Sequence, residues 1–149
     1  GYKPEMILAG RKLNDRMSHH YAKTICQKME QENYHLPSSK ILIMGMTFKE
    51  NCPDYRNTKV VDLINDLISK GIAVDVFDPF LHKEDVKREF DLNLIEDIPE
   101  NFYDAIAIAV SHSQFKTMGI EQILSFGKKG VLIFDIKNTF PIKNGLIRI

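Results

Sequence analysis

The groups best suited to act on a ligand gather between Ile41 and Asn57. Lys49, Glu50, Asn51, Asp54 and Arg56, with a rigid Cys52-Pro53 step among them, follow an apolar run, Ile41-Leu42-Ile43-Met44, that Gly45 ends. A helical period then opens at Thr58. The pattern is strand, long polar loop, helix. In an open α/β sheet such a loop lies at the carboxyl edge of the strands, where ligands bind. A cation beside the amide-rich start of a helix suits a phosphate. Ordinary connections of this kind take about two to six residues, so the extra length here points to a site rather than a plain solvated turn.

Other polar residues close the remaining apolar runs: Asp78 after the second, Ser111 and His112 after the third, Asp135 and Lys137 after the fourth. Together they would form one rim, the layout of a nucleotide or small-molecule site. Gly45-Met46-Thr47-Phe48-Lys49-Glu50 is not GxGxxG, so the pyrophosphate turn of a dinucleotide fold is not expected. Asp78 reads first as a turn residue ahead of Pro79. Cys52 sits between two cations, a setting that suits a reactive thiol. No His is near it in sequence, and His112 reaches it only if the rim closes over it. Catalysis by Cys52 is therefore not expected, and no catalytic residue is assigned. His19 and His20 are adjacent and face different directions, and a lone Cys with a single His gives no zinc pattern, so no metal ligand is assigned either.

A chain of 149 residues makes one ordinary domain with room for an appendage. Lys plus Arg and Asp plus Glu are both 20, which argues against a nucleic-acid binder working through a broad basic field. Two Cys, Cys26 and Cys52, do not make a disulfide framework, so a reducing cytoplasm is expected. No apolar run approaches the ~18 residues of a membrane span. The chain opens Gly1-Tyr2-Lys3 without Met and is read as a piece of something longer.

The rim must be held by the elements beneath it. Met6, Ile7, Ala9, Leu13, Met17, Tyr21, Ile25 and Met29 recur at three- and four-residue steps, predicting one long helix over about residues 4–32. Its apolar stripe fits a connector or oligomer helix, or a helix packed on its own domain, and pattern alone leaves both open. Residues 37–39 form a break. Strands are predicted at 41–44, 73–77, 105–110 and 131–134. A helix is predicted at 58–70, with Val60, Val61, Ile64, Leu67 and Ile68 inward and Gly71 as its stop. A short helix fits 82–90. A further one fits 114–126, with Ser113 as its N-cap. Alternating strands and helices give an α/β fold: a Rossmann-like three-layer open parallel sheet preceded by a long N-terminal helix.

Gly45-Met46-Thr47-Phe48-Lys49, then Asp54-Tyr55-Arg56-Asn57-Thr58, then Val76-Phe77-Asp78-Pro79, resembles the C-terminal domain of the UDP-glucose/GDP-mannose dehydrogenase family. Glu50-Asn51-Cys52-Pro53-Asp54 resembles its bacterial branch that oxidises UDP-N-acetylhexosamines for surface polysaccharides such as capsule and lipopolysaccharide O-antigen. Arg11-Lys12-Leu13-Asn14-Asp15-Arg16-Met17 resembles the end of that family's central dimerisation helix.

The resemblance implies residues 1–36 as the end of a dimerising, connecting helix and 37–149 as a UDP-sugar-binding domain. It implies an enzyme that takes the sugar C6 alcohol to a carboxylate while two NAD are reduced. The NAD fingerprint and the glycine-rich nucleophilic Cys segment of such enzymes are absent from these residues. By position, Phe48 and Lys49 match the family's substrate-binding pair, and Arg56 matches an Arg that reaches across the cleft to NAD. Lys137 stands where many relatives carry a substrate-side Arg. The alternatives are a free-standing nucleotide-binding module and an assembly module without catalysis.

Overall fold

The computed structural model describes residues 4–141 and 146–149, with the backbone alone over 4–15. In chain order the elements are α1 Pro4–Gln31, a 3₁₀ turn Leu36–Ser38, β1 Lys40–Met44, α2 Val60–Ser69, β2 Ala73–Phe77, α3 Lys83–Phe90, β3 Tyr103–Ile108, α4 Ser113–Met118, α5 Ile120–Ser125, β4 Gly127–Asp135 and β5 Leu146–Ile147. The five strands run parallel in the order β2-β1-β3-β4-β5. The chain leaves β1 for one edge and returns across it to β3. The carboxyl ends of β1 and β3 therefore flank the point where the winding reverses, and a crevice opens there in such sheets.

The apolar runs explain the layers. Successive residues of a strand point to opposite faces. Ile41 and Ile43 of β1, with Ala105 and Ala107 of β3, join the cluster under α1 and α2. Leu42, Met44, Ile106 and Ile108 face Phe115 of α4 and Ile123 of α5 on the other side. Ile41–Met44 and all of β3 are buried, as expected for inner strands covered on both faces. Each Ile, Leu or Met side chain among them contributes about 1.5–3 kcal/mol when removed from water. This is the expected three-layer α/β sheet with its long leading helix.

Particular expectations shift. The helix anticipated over 114–126 is two short helices, because Gly119 takes φ +84 and turns the chain between them. Ser113 is the first residue of α4 rather than its cap, and His112 precedes it. The last long strand begins at Gly127 rather than 131. Its pairing with β3 shifts between Tyr103 and Ala105, where β4 carries extra residues. β3 begins at Tyr103 and ends at Ile108. On α2 the inward residues are Leu63, Ile64 and Leu67, whereas Ile68 is 44% exposed. Ile68 lies about 40° round the helix from Ile64, at the margin of the contact face.

The second half of α1 packs on its own domain. Ala22, Ile25, Cys26 and Met29 are buried in the cluster that holds Leu63, Ile64 and Leu67. Ser18 Oγ donates to the Lys59 carbonyl at 3.1 Å, and His19 Nδ1 meets the Asp66 carboxylate. Burial pushes the Cys26 thiol pKa up, which suits a packing role. The side chains of Met6, Ile7, Ala9 and Leu13 lie outside the described residues.

Gly45 decides how tightly the sheet closes at the crevice. Its φ is +94, and a Cβ there would stand 2.6 Å from Val110 Cβ. Its N–H donates to the Phe77 carbonyl at 2.8 Å, so β1 turns while still tied to β2. Gly45→Ala combines left-handed strain with overpacking, and we predict a loss of about 3 kcal/mol of stability. Urea unfolding measures it; an unchanged midpoint would show that the turn has slack.

Candidate functional site

A cavity of about 700 Å³ opens over the carboxyl ends of β1, β3 and β4. Thr47, Phe48, Lys49 and Glu50 supply the wall after β1, Val110 and Ser111 that after β3, and Ile136, Lys137 and Asn138 that after β4. Thr58 and Lys59 close it at the start of α2, and Met17, Ser18 and Tyr21 of α1 form the far side. It occupies the crevice that the strand order defines. Lys49, Lys59, Lys116 and Lys137 line it, with Glu50 as the acid among its described lining residues. A neutral chain has thus gathered cations round one hollow, which suits an anionic ligand. Phe48 is 56% exposed at the rim and offers a flat apolar face beside Lys49.

Beneath Phe48 and Lys49 lies a buried polar cluster. Asp78 Oδ2 accepts the N–H of Met46 at 2.7 Å and that of Thr47 at 3.2 Å. Its Oδ1 accepts the Phe80 N–H at 2.9 Å, the turn role expected of a residue before Pro79. His112 Nδ1 accepts the Asn51 N–H at 3.0 Å. That donor makes Nδ1 the acceptor nitrogen, so in the neutral ring Nε2 carries the hydrogen. Nε2 lies 2.9 Å from Asp78 Oδ2 and 3.2 Å from Thr47 Oγ1. Thr47 Oγ1 in turn donates to the Lys49 carbonyl at 2.9 Å. The Asp78 and His112 side chains are 0% exposed. Asn51 and Ser113 close the far end with a reciprocal pair, Nδ2 to Oγ at 3.0 Å and N–H to Oδ1 at 2.9 Å.

The rim residues expected from sequence therefore divide. Phe48, Lys49, Ser111 and Lys137 come together around the cavity. Asp78 and His112 turn inward and hold the loop. Asp135 is fully buried and accepts the N–H groups of Thr139 and Phe140, so it shapes the turn after β4. Arg56 does not line the cavity. Its side chain is 82% exposed and makes a forked contact with Asp54, which holds that carboxyl below the usual carboxylate range. Cys52 is half-buried, and both His112 nitrogens already have partners, so the ring does not serve it as a base. Among the described residues no group of three His, Cys, Asp or Glu could hold a metal ion, and no helix is long and apolar enough to cross a membrane.

Sequence reasoning missed Lys116, Thr58 and the α1 wall. Lys116 stands in the last turn of the short helix α4 and carries no spacing signal. Met17 and Tyr21 were visible only as an apolar stripe. Asn51, Asn57 and Asn138 all take positive φ in the rim loops, a conformation that asparagine tolerates better than most residues, and this was a legible signal of tight turning.

A parallel α/β sheet with a lysine-lined crevice at its winding reversal defines a nucleotide-binding type of domain. Residues 42–141 match the UDP-glucose/GDP-mannose dehydrogenase family, UDP binding domain. The chain belongs to that family and carries this domain. It is 41% identical over its whole length to a UDP-N-acetyl-D-glucosamine 6-dehydrogenase of Salmonella typhi, covering 35% of that protein. It is 44% identical over 92% of its length to the enzyme of the same name from Pseudomonas aeruginosa, covering 32% of it. The chain thus spans about a third of the length of these curated relatives. An NDP-N-acetyl-D-galactosaminuronic acid dehydrogenase from Methanosarcina mazei shares the fold, with TM-score 0.81 at 22% identity over 100% of this chain and 32% of that one.

Replacing Asp78 by Ala leaves the N–H groups of Met46, Thr47 and Phe80 without their acceptor, at about 1–3 kcal/mol for each one left unsatisfied. Amide hydrogen exchange at Met46 and Thr47 should quicken at least about tenfold in Asp78→Ala. Unchanged protection at both would show that the turn holds without the carboxylate.

Proposed function

We propose that residues 37–149 are the UDP-sugar-binding unit of an NAD-dependent UDP-N-acetylhexosamine 6-dehydrogenase, and that residues 1–36 are the end of a connecting helix. The observation that carries this reading is the cavity itself: Phe48, Lys49 and Lys137 meet around one hollow in a domain of this family. A lysine is a compact cation suited to a diphosphate, and an exposed aromatic face suits a base or sugar ring. The 6-dehydrogenase relatives support an N-acetylhexosamine as the sugar. In this reading the product serves surface polysaccharide synthesis in the cytoplasm.

NAD and the reacting nucleophile belong to parts of such an enzyme that these residues do not supply. The chain alone should then yield no NADH from any UDP-sugar. NAD, held by such other parts, would supply the hydride acceptor for oxidation of the sugar alcohol. This chain's part is to hold the nucleotide and to present Arg56. That guanidinium lies outside the cavity and faces solvent on the same loop, which suits contact with a cofactor held by another domain. Assembly as a homodimer through α1 belongs to the same reading. Sedimentation should show a dimer that Leu13→Glu with Met17→Glu makes monomeric, and a monomer in the unmutated chain at high concentration would remove it.

The two cations should separate by ligand. Losing a charge-assisted contact costs about 1.5–3 kcal/mol, or about tenfold to a hundredfold in affinity. Calorimetric titration with UDP should show that loss for Lys49→Ala, whereas Arg56→Ala should leave UDP binding nearly unchanged. If Arg56→Ala abolished UDP binding, the loop would have to be a single phosphate clamp built from both cations.

A further inference from the structure

Phe48 and Lys49 can serve a ligand only if their loop stands still, and what holds it is out of the ligand's reach. We propose that His112 is a positioning residue for nucleotide binding: it fixes the loop carrying Phe48 and Lys49 by accepting the Asn51 N–H while anchored to Asp78. The proposal rests on the reading of Lys49 as a nucleotide contact.

The geometry points to this division of labour. His112 is 0% exposed, so it does not touch a molecule in the cavity. Its two nitrogens face different parts of one loop. Nδ1 takes the N–H of Asn51, two residues beyond Lys49. Nε2 sits against Asp78 Oδ2 and Thr47 Oγ1, and Thr47 lies two residues before Lys49. Asp78 Oδ2 also takes the Met46 and Thr47 N–H groups, so the loop is tied before and after the exposed pair. Between the ties, Thr47 Oγ1 donates to the carbonyl of Lys49 itself. The ring is gripped in its turn, with its centroid 4.7 Å from that of Phe80 and 5.3 Å from that of Phe115. A ring with one donor and one acceptor nitrogen matches this pattern of partners, which neither a carboxylate nor an aliphatic side chain would reproduce.

Two substitutions separate positioning from bulk. In His112→Gln the carboxamide reaches the place of Nε2 and can still donate to Asp78, but nothing stands at Nδ1 for the Asn51 N–H. In His112→Asn the carboxamide oxygen stands near the place of Nδ1 and can take that N–H, while the donor to Asp78 is lost. UDP is titrated into the 149-residue chain carrying each change, with and without Lys49→Ala. Thermal unfolding is followed on the same samples.

His112→Gln should weaken UDP binding about tenfold. His112→Asn should stay within about threefold of the unchanged chain even if it melts lower. Adding Lys49→Ala to His112→Gln should give clearly less than the product of the two separate losses, because Lys49 is part of what His112 holds in place. Fully multiplying losses would overturn the proposal, as would equal losses for Gln and Asn that track their melting temperatures. UDP binding by His112→Gln at the level of the unchanged chain would also overturn it. If Lys49→Ala by itself leaves UDP binding unchanged, the reading of Lys49 fails first and the proposal falls with it. That outcome is distinct from one in which Lys49 matters and His112 does not.

Discussion

The carboxylate of Asp78 joins three parts of the rim. It directly follows β2, receives the backbone N–H groups of the turn after β1, and faces the imidazole that follows β3. The order β2-β1-β3 makes this possible, since it brings the ends of the second and third strands to either side of the first. A buried carboxylate is costly unless its lone pairs are filled, and here donors fill both oxygens. The turn after β1 is thereby set by the sheet rather than by the loop's own preferences. Gly45 completes the constraint, since its φ and its contact with Val110 leave no space for a side chain.

On that base the loop does two things at once. It raises Phe48 and Lys49 over the crevice, and it carries Arg56 out to solvent with Asp54. The same segment therefore supplies both a cavity and an outward-facing cation. α1 adds the remaining wall through Met17, Ser18 and Tyr21. Its second half is also bound into the core through Ile25 and Met29. The second half of the leading helix thus both walls the cavity and packs into the core. Of the stripe read from sequence as a connector, or as a helix packed at home, Ile25 and Met29 pack at home, with Tyr21 partly buried beside them.

Much of this was legible in the chain. The doubly buried strands are plain from runs such as Ile41–Met44 and Ala105–Val110, because strands covered on both faces need unbroken apolar residues. The cavity side of Phe48, Lys49 and Lys137 followed from their places just past strand ends. The break at Gly119 was not assigned, because a lone glycine within a helical period is often tolerated. The extra residues in β4 escaped for a similar reason: Gly127-Lys128-Lys129-Gly130 reads as a turn, whereas the strand resumes pairing after it. The inward partnership of Asp78 with His112 was out of reach, because it depends on the spatial order of strands far apart in sequence. Rim residues at strand ends can face the ligand or the core, and spacing alone does not distinguish them.

On the proposed reading, the crevice over β1 and β3 receives the uridine diphosphate. The most direct test is a titration of UDP into the isotope-labelled chain, followed by amide chemical shifts. Saturable shifts are expected at Thr47, Phe48, Lys49, Ser111 and Lys137, with Arg56 much less affected. Shifts confined to the opposite end of the sheet, around Tyr34 and Lys70, or no saturable shift at all with millimolar UDP, would contradict it.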